Sequence, residues 1–255
     1  MINDVIEKLV NDYKSEPNVL GIVLVGSGSR YYRDSLSDYD MEVIVEDSFY
    51  NNLEKEKRFW RYRDSKIDIE FLVYPKSDFL AKVCSTADVD HWPYEECKIV
   101  YDPVCFLENN IPLIVAMDYE LRTARIKLHY FEVLFTSTKV KRVLQRGDEL
   151  NVRLVAGQMT IVFVKLLFLL FYKWPPILHW TSQNILGIPN LSTNIKQLLL
   201  EILRNPTIES TELLVSEIEN LMESQGISYI DLKDNLTNEV GSAEFRGFRE
   251  KYSLL

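Results

Sequence analysis

The spacing of hydrophobic positions changes several times along the first hundred residues, and each change predicts an element. Val5, Ile6, Leu9, Val10 and Tyr13 recur at helical spacing, which predicts an amphipathic helix over Asp4–Tyr13. Pro17 and Asn18 break it. Val19–Val25 is a continuous apolar, β-branched run suited to a buried strand, and it stops at Gly26-Ser27-Gly28-Ser29. A second strand is predicted over Met41–Val45, entered from Asp38-Tyr39-Asp40. The highly charged stretch Phe49–Trp60 reads as helix. A third strand covers Lys66–Val73 and is stopped by Pro75, and Ile99–Tyr101 is a short fourth before Asp102-Pro103.

Near Ile111-Pro112 the texture changes. Strand-like runs vanish, and long helical patterns follow over Ile114–Val133, Leu150–Lys173, Ser192–Leu203 and Ser210–Met222, punctuated by Pro175-Pro176, Pro189 and Pro206. The pattern predicts an α+β chain: residues 1–112 form a small mixed sheet with flanking helices, and residues 113–255 form an all-α domain. The apolar run Leu166–Tyr172 is bracketed by Lys165 and Lys173, so it reads as a buried core helix rather than a membrane anchor, which needs about 20 apolar residues. The tail Gly241–Leu255 is polar.

Composition narrows the function classes. The 255 residues are 47% hydrophobic and 26% charged, enough for a sizeable core. The net charge of −9 argues against a protein that coats nucleic acid, whose footprint is basic. Cys84, Cys97 and Cys105 have neither the even count of a disulfide framework nor the spacing of a zinc site, and a reducing cytoplasm is the simplest setting. His91, His129 and His179 are scattered, which gives no support for a histidine metal site.

The chemistry concentrates in Gly26-Ser27-Gly28-Ser29-Arg30 and Ser37-Asp38-Tyr39-Asp40. A Gly-Ser turn after a buried strand lets backbone N–H groups approach an anion, and a helix starting there would add its dipole. Ser27 and Ser29 offer hydroxyls, and Arg30 offers a planar fork for phosphate. Asp38 and Asp40, two apart at a strand, share a face and suit Mg²⁺. On the next strand Asp68 and Glu70 share one face, with Ile67, Ile69 and Phe71 on the other, so either acid could complete the cluster.

This ordered set resembles the polymerase-β-like nucleotidyltransferase superfamily, over about the first hundred residues. The small members read G-S-x-x-R and then S-D-x-D, as Gly26–Arg30 and Ser37–Asp40 do here. Tyr31 stands where many of them carry a second glycine, and Glu42 where an apolar residue is commoner. The helical second half is similar in general architecture to aminoglycoside and lincosamide nucleotidyltransferases. The resemblance implies two Mg²⁺ ions on Asp38, Asp40 and Asp68, and an NTP, ATP by preference, over the Gly26–Ser29 loop with Gly26, Ser27, Ser29 and Arg30 as nucleotide contacts. It implies Asp68, with Glu70 as the alternative, as the acid that prepares the acceptor hydroxyl.

Each of these residues also has a plainer reading. Arg30 could pair with Asp34 on the surface, and Asp68 and Glu70 could be a solvated strand face. Glu42 reads as a solvent-facing or arginine-paired acid. Lys173 either reaches the triphosphate or simply ends a core helix. The acidic, aromatic stretch Asp88–Glu96 suits either a cationic, ring-bearing ligand or a packing corner. The expected activity is transfer of a nucleoside monophosphate, AMP by preference, to a hydroxyl of a small, cationic, antibiotic-like acceptor. The alternative is an antitoxin-like or regulatory protein that acts on a protein partner. RNA 3′-end addition is disfavoured by the acidic balance, and membrane association is not expected.

Overall fold

The computed structural model describes residues 2–34, 37–64, 67–189, 191, 194–236, 238, 242, 246 and 247. Lys66 and Ser192, where two predicted elements begin, and all of the tail from Gly241 except residues 242, 246 and 247, lie outside that set. The chain divides into two compact units, Met1–Ala116 and Met117–Leu255.

In the first unit, helix α1 (Ile2–Lys14) leads into strand β1 (Val19–Val25), a short 3₁₀ turn over Gly26–Ser29, and strand β2 (Tyr39–Val45). Helices α2 (Asp47–Asn52) and α3 (Lys55–Arg58) precede strands β3 (Phe59–Arg63) and β4 (Asp68–Pro75). Helix α4 (Lys76–Ala81), strand β5 (Lys98–Tyr101) and helix α5 (Phe106–Val115) complete it. The sheet order is β3-β4-β2-β1-β5. Among the described residues only β2 and β4 run parallel; the β1–β2, β1–β5 and β3–β4 pairs are antiparallel. The sheet is therefore mixed, as the sequence predicts.

Alternation along the strands sorts the two faces. Tyr39, Met41, Val43, Val45, Ile69, Phe71 and Val73 form one buried face, together with Val10 of α1. There Trp60 stacks on Phe71 with ring centroids 4.1 Å apart, and its indole N–H donates to the Tyr13 hydroxyl at 2.6 Å, which pins α1 to β3. On the other face Val23, Val25 and Ile44 pack with Phe79, Tyr94, Leu107, Ile111 and Ile114. Gly21 makes that second layer possible, because a Cβ there would run into the Leu107 side chain of α5. Asp40, Glu42 and Glu70 belong to this second face by strand parity.

Two predicted elements take a different form. The Phe49–Trp60 helix is replaced by α2, α3 and the start of β3, an edge strand. The Ile114–Val133 helix is interrupted: α5 ends at Val115, and a new helix begins at Tyr119 behind Asp118, whose carboxylate accepts from the Leu121 N–H at 2.8 Å. Pro112 lies inside α5.

The second unit is helical. Helix α6 (Tyr119–Arg146) ends at Gly147 in the left-handed region, and α7 (Glu149–Leu170) starts behind the capping residue Asp148. Helices α8 (Thr181–Leu186), α9 (Asn194–Arg204), α10 (Ile208–Ser224) and α11 (Tyr229–Asp234) follow. By length and composition α7 could cross a membrane, yet Phe163 and Leu166–Leu170 are buried in a core with Ile195, Ile202, Leu214 and Ile218. Arg122 closes the end of α7, donating to the carbonyls of Leu169 and Leu170 at 2.7 and 3.0 Å.

Candidate active site

The register of the two parallel strands builds the site. Asp40 pairs with Glu70 across β2 and β4, Glu70 pairs with Arg61 on β3, and Asp40 pairs with Val25 on β1. Residues directly opposite share a face, so a row of acid, acid and guanidinium crosses the sheet at the end of β1. Asp38 lies just before β2 and joins the group: Asp38, Asp40 and Glu70 each offer an oxygen within 4.8 Å of the other two.

The Gly-Ser turn lies against these acids. Gly26 has φ of +66°, and a Cβ on it would overlap Oδ2 of Asp40. Only glycine permits both the left-handed backbone and that approach. The turn is a single 3₁₀ segment, after which Arg30 is extended, so no α-helix starts there to add a dipole.

All four predicted nucleotide contacts on this turn have internal partners or are buried. The Ser29 hydroxyl donates to the Gly26 carbonyl at 2.9 Å, and Ser27 is buried. Arg30 is also buried. Its Nη1 donates to the Gly26 carbonyl and its Nη2 to the Trp92 carbonyl, each at 2.7 Å, while its guanidinium stacks 4.1 Å from the Trp92 ring centre. Arg30 thus braces the turn from behind and is not an open fork for phosphate; nor does it pair with Asp34, whose carboxylate accepts from the Ser37 hydroxyl. Lys173 belongs to the second unit, just past α7, where its backbone N–H donates to the Phe168 carbonyl at 3.0 Å.

Asp68 and Glu70 part company. Arg61 grips Asp68 with Nε and Nη2, both at 2.5 Å, and Arg63 supports the same carboxylate at 3.4 Å. These hydrogen bonds, chiefly those of Arg61, hold Asp68 below the usual carboxylate range. Glu70 receives Nη1 of Arg61 at 2.7 Å and still reaches Asp38 and Asp40. Parallel register thus puts Glu70, and not the first-choice Asp68, beside Asp40.

Asp40 is the electrostatic centre. Burial first, then the charges of Asp38, Glu70 and Glu42, push its carboxyl up to about 7, against a smaller opposing pull from Arg61. Three crowded carboxylates with one so destabilised as an anion are a donor set that fits a hard divalent cation.

Glu42 continues the same face inward and is buried rather than solvent-facing or paired with arginine. The Tyr94 hydroxyl donates to it, and burial raises its carboxyl against the opposing charge of Lys82. Lys82 in turn lies 4.4 Å from the Tyr74 ring centre and 3.9 Å from an Asp90 oxygen. Trp92 and Tyr94 are each 2% exposed, and both His91 nitrogens face backbone carbonyls, of Ile114 and Ser85. His91, Trp92 and Tyr94 are therefore internal packing of the first unit, whereas Val89 and Glu96 of the same stretch are exposed. Sequence reading overlooked Arg61; its signal was the alternation Arg61-x-Arg63 facing Asp68-x-Glu70.

No family model matches the chain, and no curated protein sequence matches it. Among solved structures, it is similar to the crystal structure of a nucleotidyltransferase-like protein from Exiguobacterium sibiricum, with a TM-score of 0.47 and 16% identity, over 98% of this chain and 88% of that one.

Proposed function

We propose that the chain transfers a nucleoside monophosphate from an NTP, ATP by preference, to a hydroxyl of a small molecule. The observation that carries this reading is the convergence of Asp38, Asp40 and Glu70 within 4.8 Å, against a glycine turn that a side chain would close. Asp38, Asp40 and Glu70 would hold Mg²⁺, which supplies charge neutralisation at the α-phosphate and on the departing pyrophosphate.

The protein's own groups account for the rest. Gly26 leaves the space that the Asp40 carboxylate occupies, and so lets that acid lie against the turn. The acceptor oxygen attacks the α-phosphorus, the bond from that phosphorus to the bridging oxygen breaks, and pyrophosphate leaves. Oε1 of Glu70 is engaged by Arg61, which leaves Oε2 as the oxygen that would meet the ion and, beside it, assist the acceptor hydroxyl in losing its proton. Tyr94 and Lys82 hold Glu42 beneath the group and fix the inner end of β2.

The net charge of −9 favours a cationic acceptor, so hydroxylated cationic antibiotics of the aminoglycoside and lincosamide kinds are the first class to test. With Cys84, Cys97 and Cys105 all free, the proposed setting is the cytoplasm. The test is incubation of the full chain with each of the four NTPs, Mg²⁺ and a panel of hydroxylated small molecules, read by mass spectrometry. An acceptor gaining one nucleoside monophosphate, with one pyrophosphate released, supports the reading. NTP left intact across the whole panel, or hydrolysed without transfer, sinks it.

A further inference from the structure

The guanidinium of Arg61 borders the carboxylate group on its β3 side. Its Nη1 is 2.7 Å from Oε1 of Glu70, and its Nη2 is 3.9 Å from Oδ2 of Asp38. It therefore spans the two outer acids and leaves Asp40, the inner one, without a direct cationic partner among the described ion pairs. Its position is enforced: Asp68 takes Nε and Nη2 in a two-point grip, and Arg63 steadies Asp68 from the far side. Edge strand β3 supplies both arginines, opposite Glu70 and Asp68 in the antiparallel ladder.

Two metal ions that act together on a phosphate lie about 3.5–4 Å apart, and each needs carboxylate oxygens of its own. Here three acids crowd within 4.8 Å, and a guanidinium already occupies the side that a second ion would share between Asp38 and Glu70. An arginine side chain keeps its charge at any working pH, so this cation cannot be titrated away. We propose that Arg61 is a built-in cation taking the place of a second divalent ion, and that Asp68 is the positioning residue that holds it there. The site then accepts one divalent ion, on the Asp40 side. This rests on the nucleotidyl-transfer reading of the site and corrects the expectation of two Mg²⁺ ions.

The experiment is equilibrium dialysis of the full chain against Mn²⁺ and a non-hydrolysable nucleoside triphosphate, with bound manganese counted by elemental analysis. One manganese per chain is expected for the wild type and two for Arg61→Gln. Asp68→Asn, which frees Arg61 without removing its charge, should raise the count above one. Circular dichroism checks that each variant is folded; if Arg61→Gln is not, Asp68→Asn decides. Two manganese ions in the wild type, or one in every folded variant, overturns the inference. The transfer assay is independent: transfer by a wild type holding two ions removes the role of Arg61 and leaves the activity standing, whereas no bound manganese removes both.

Discussion

Gly26 and Asp40 stand so close, where β1 ends and β2 begins, that the carboxylate fills the space in which any other residue at position 26 would place its Cβ. The turn and the acid thus specify each other. Gly26→Ala meets two costs at once: a left-handed backbone, roughly 1–2 kcal/mol for an L-residue, and displacement of Asp40. The expected outcome is a loss of about 2–3 kcal/mol in urea unfolding, with transfer falling by about 100-fold or more because a carboxylate of the site has moved.

Glu70 and Asp68 separate by amide substitution. Glu70→Gln removes the acid beside Asp40 and should lower kcat at least ~100-fold, the low end for a lost general base. Asp68→Asn acts only through Arg61 and should cost about tenfold or less in kcat. Steady-state kinetics on both variants, with folding verified, checks the order; a dead Asp68→Asn beside an active Glu70→Gln would contradict the register argument.

Stability in the absence of divalent ions should depend on Asp40. Its folded-state carboxyl is raised from 3.8 to about 7, so the folded protein holds a proton that the unfolded chain has already released. That contribution is complete below about pH 4 and is lost as pH rises through about 7. At 1.36 kcal/mol per unit the full shift would be ~4 kcal/mol, and solvent screening reduces it to the order of 2. Urea midpoints of the wild type should therefore fall relative to those of Asp40→Asn between pH 4 and 7, and Mg²⁺ should narrow the gap at pH 7. Parallel curves for the two proteins would contradict the assignment.

The helical unit carries an opposite pH dependence. His129 is 1% exposed, and its Nδ1 faces Oε2 of Glu132 at 2.8 Å. Burial lowers its affinity for a proton, with Arg125 and Lys165 acting in the same sense and Glu132 against it. The unfolded chain therefore takes up a proton first, and stability falls as pH drops below about 6.5 towards the folded-state value. Thermal midpoints measured from pH 7.5 to 5 should show this loss in the wild type and a weaker one in His129→Gln.

The alternation of residues made the sheet legible. β1 is a continuous apolar run, and Asp38-x-Asp40 and Asp68-x-Glu70 declare their shared faces. β3 was hidden because Lys55–Arg58 ahead of it is charged and helical, and because an edge strand alternates only half-exposed with exposed residues. What pattern alone cannot supply is which residue lies opposite which. Asp68 and Glu70 are equivalent along their strand; only pairing with β2 distinguishes them. Arg30 reads as a phosphate ligand until Trp92, distant in the chain, is seen to take one end of it. Glu42 reads as solvated until Tyr94 is found above it.

The parallel pairing of β2 and β4 also bears on how the protein folds. Two helices and β3 separate these strands in the chain, so Asp40 and Glu70 meet only after a long loop has closed. Their mutual repulsion is then absent from early, locally organised states and bears on the finished sheet. Relieving it by protonation, by substitution or with a bound cation accordingly acts on the rate at which the first unit opens, and leaves the rate at which it forms nearly unchanged.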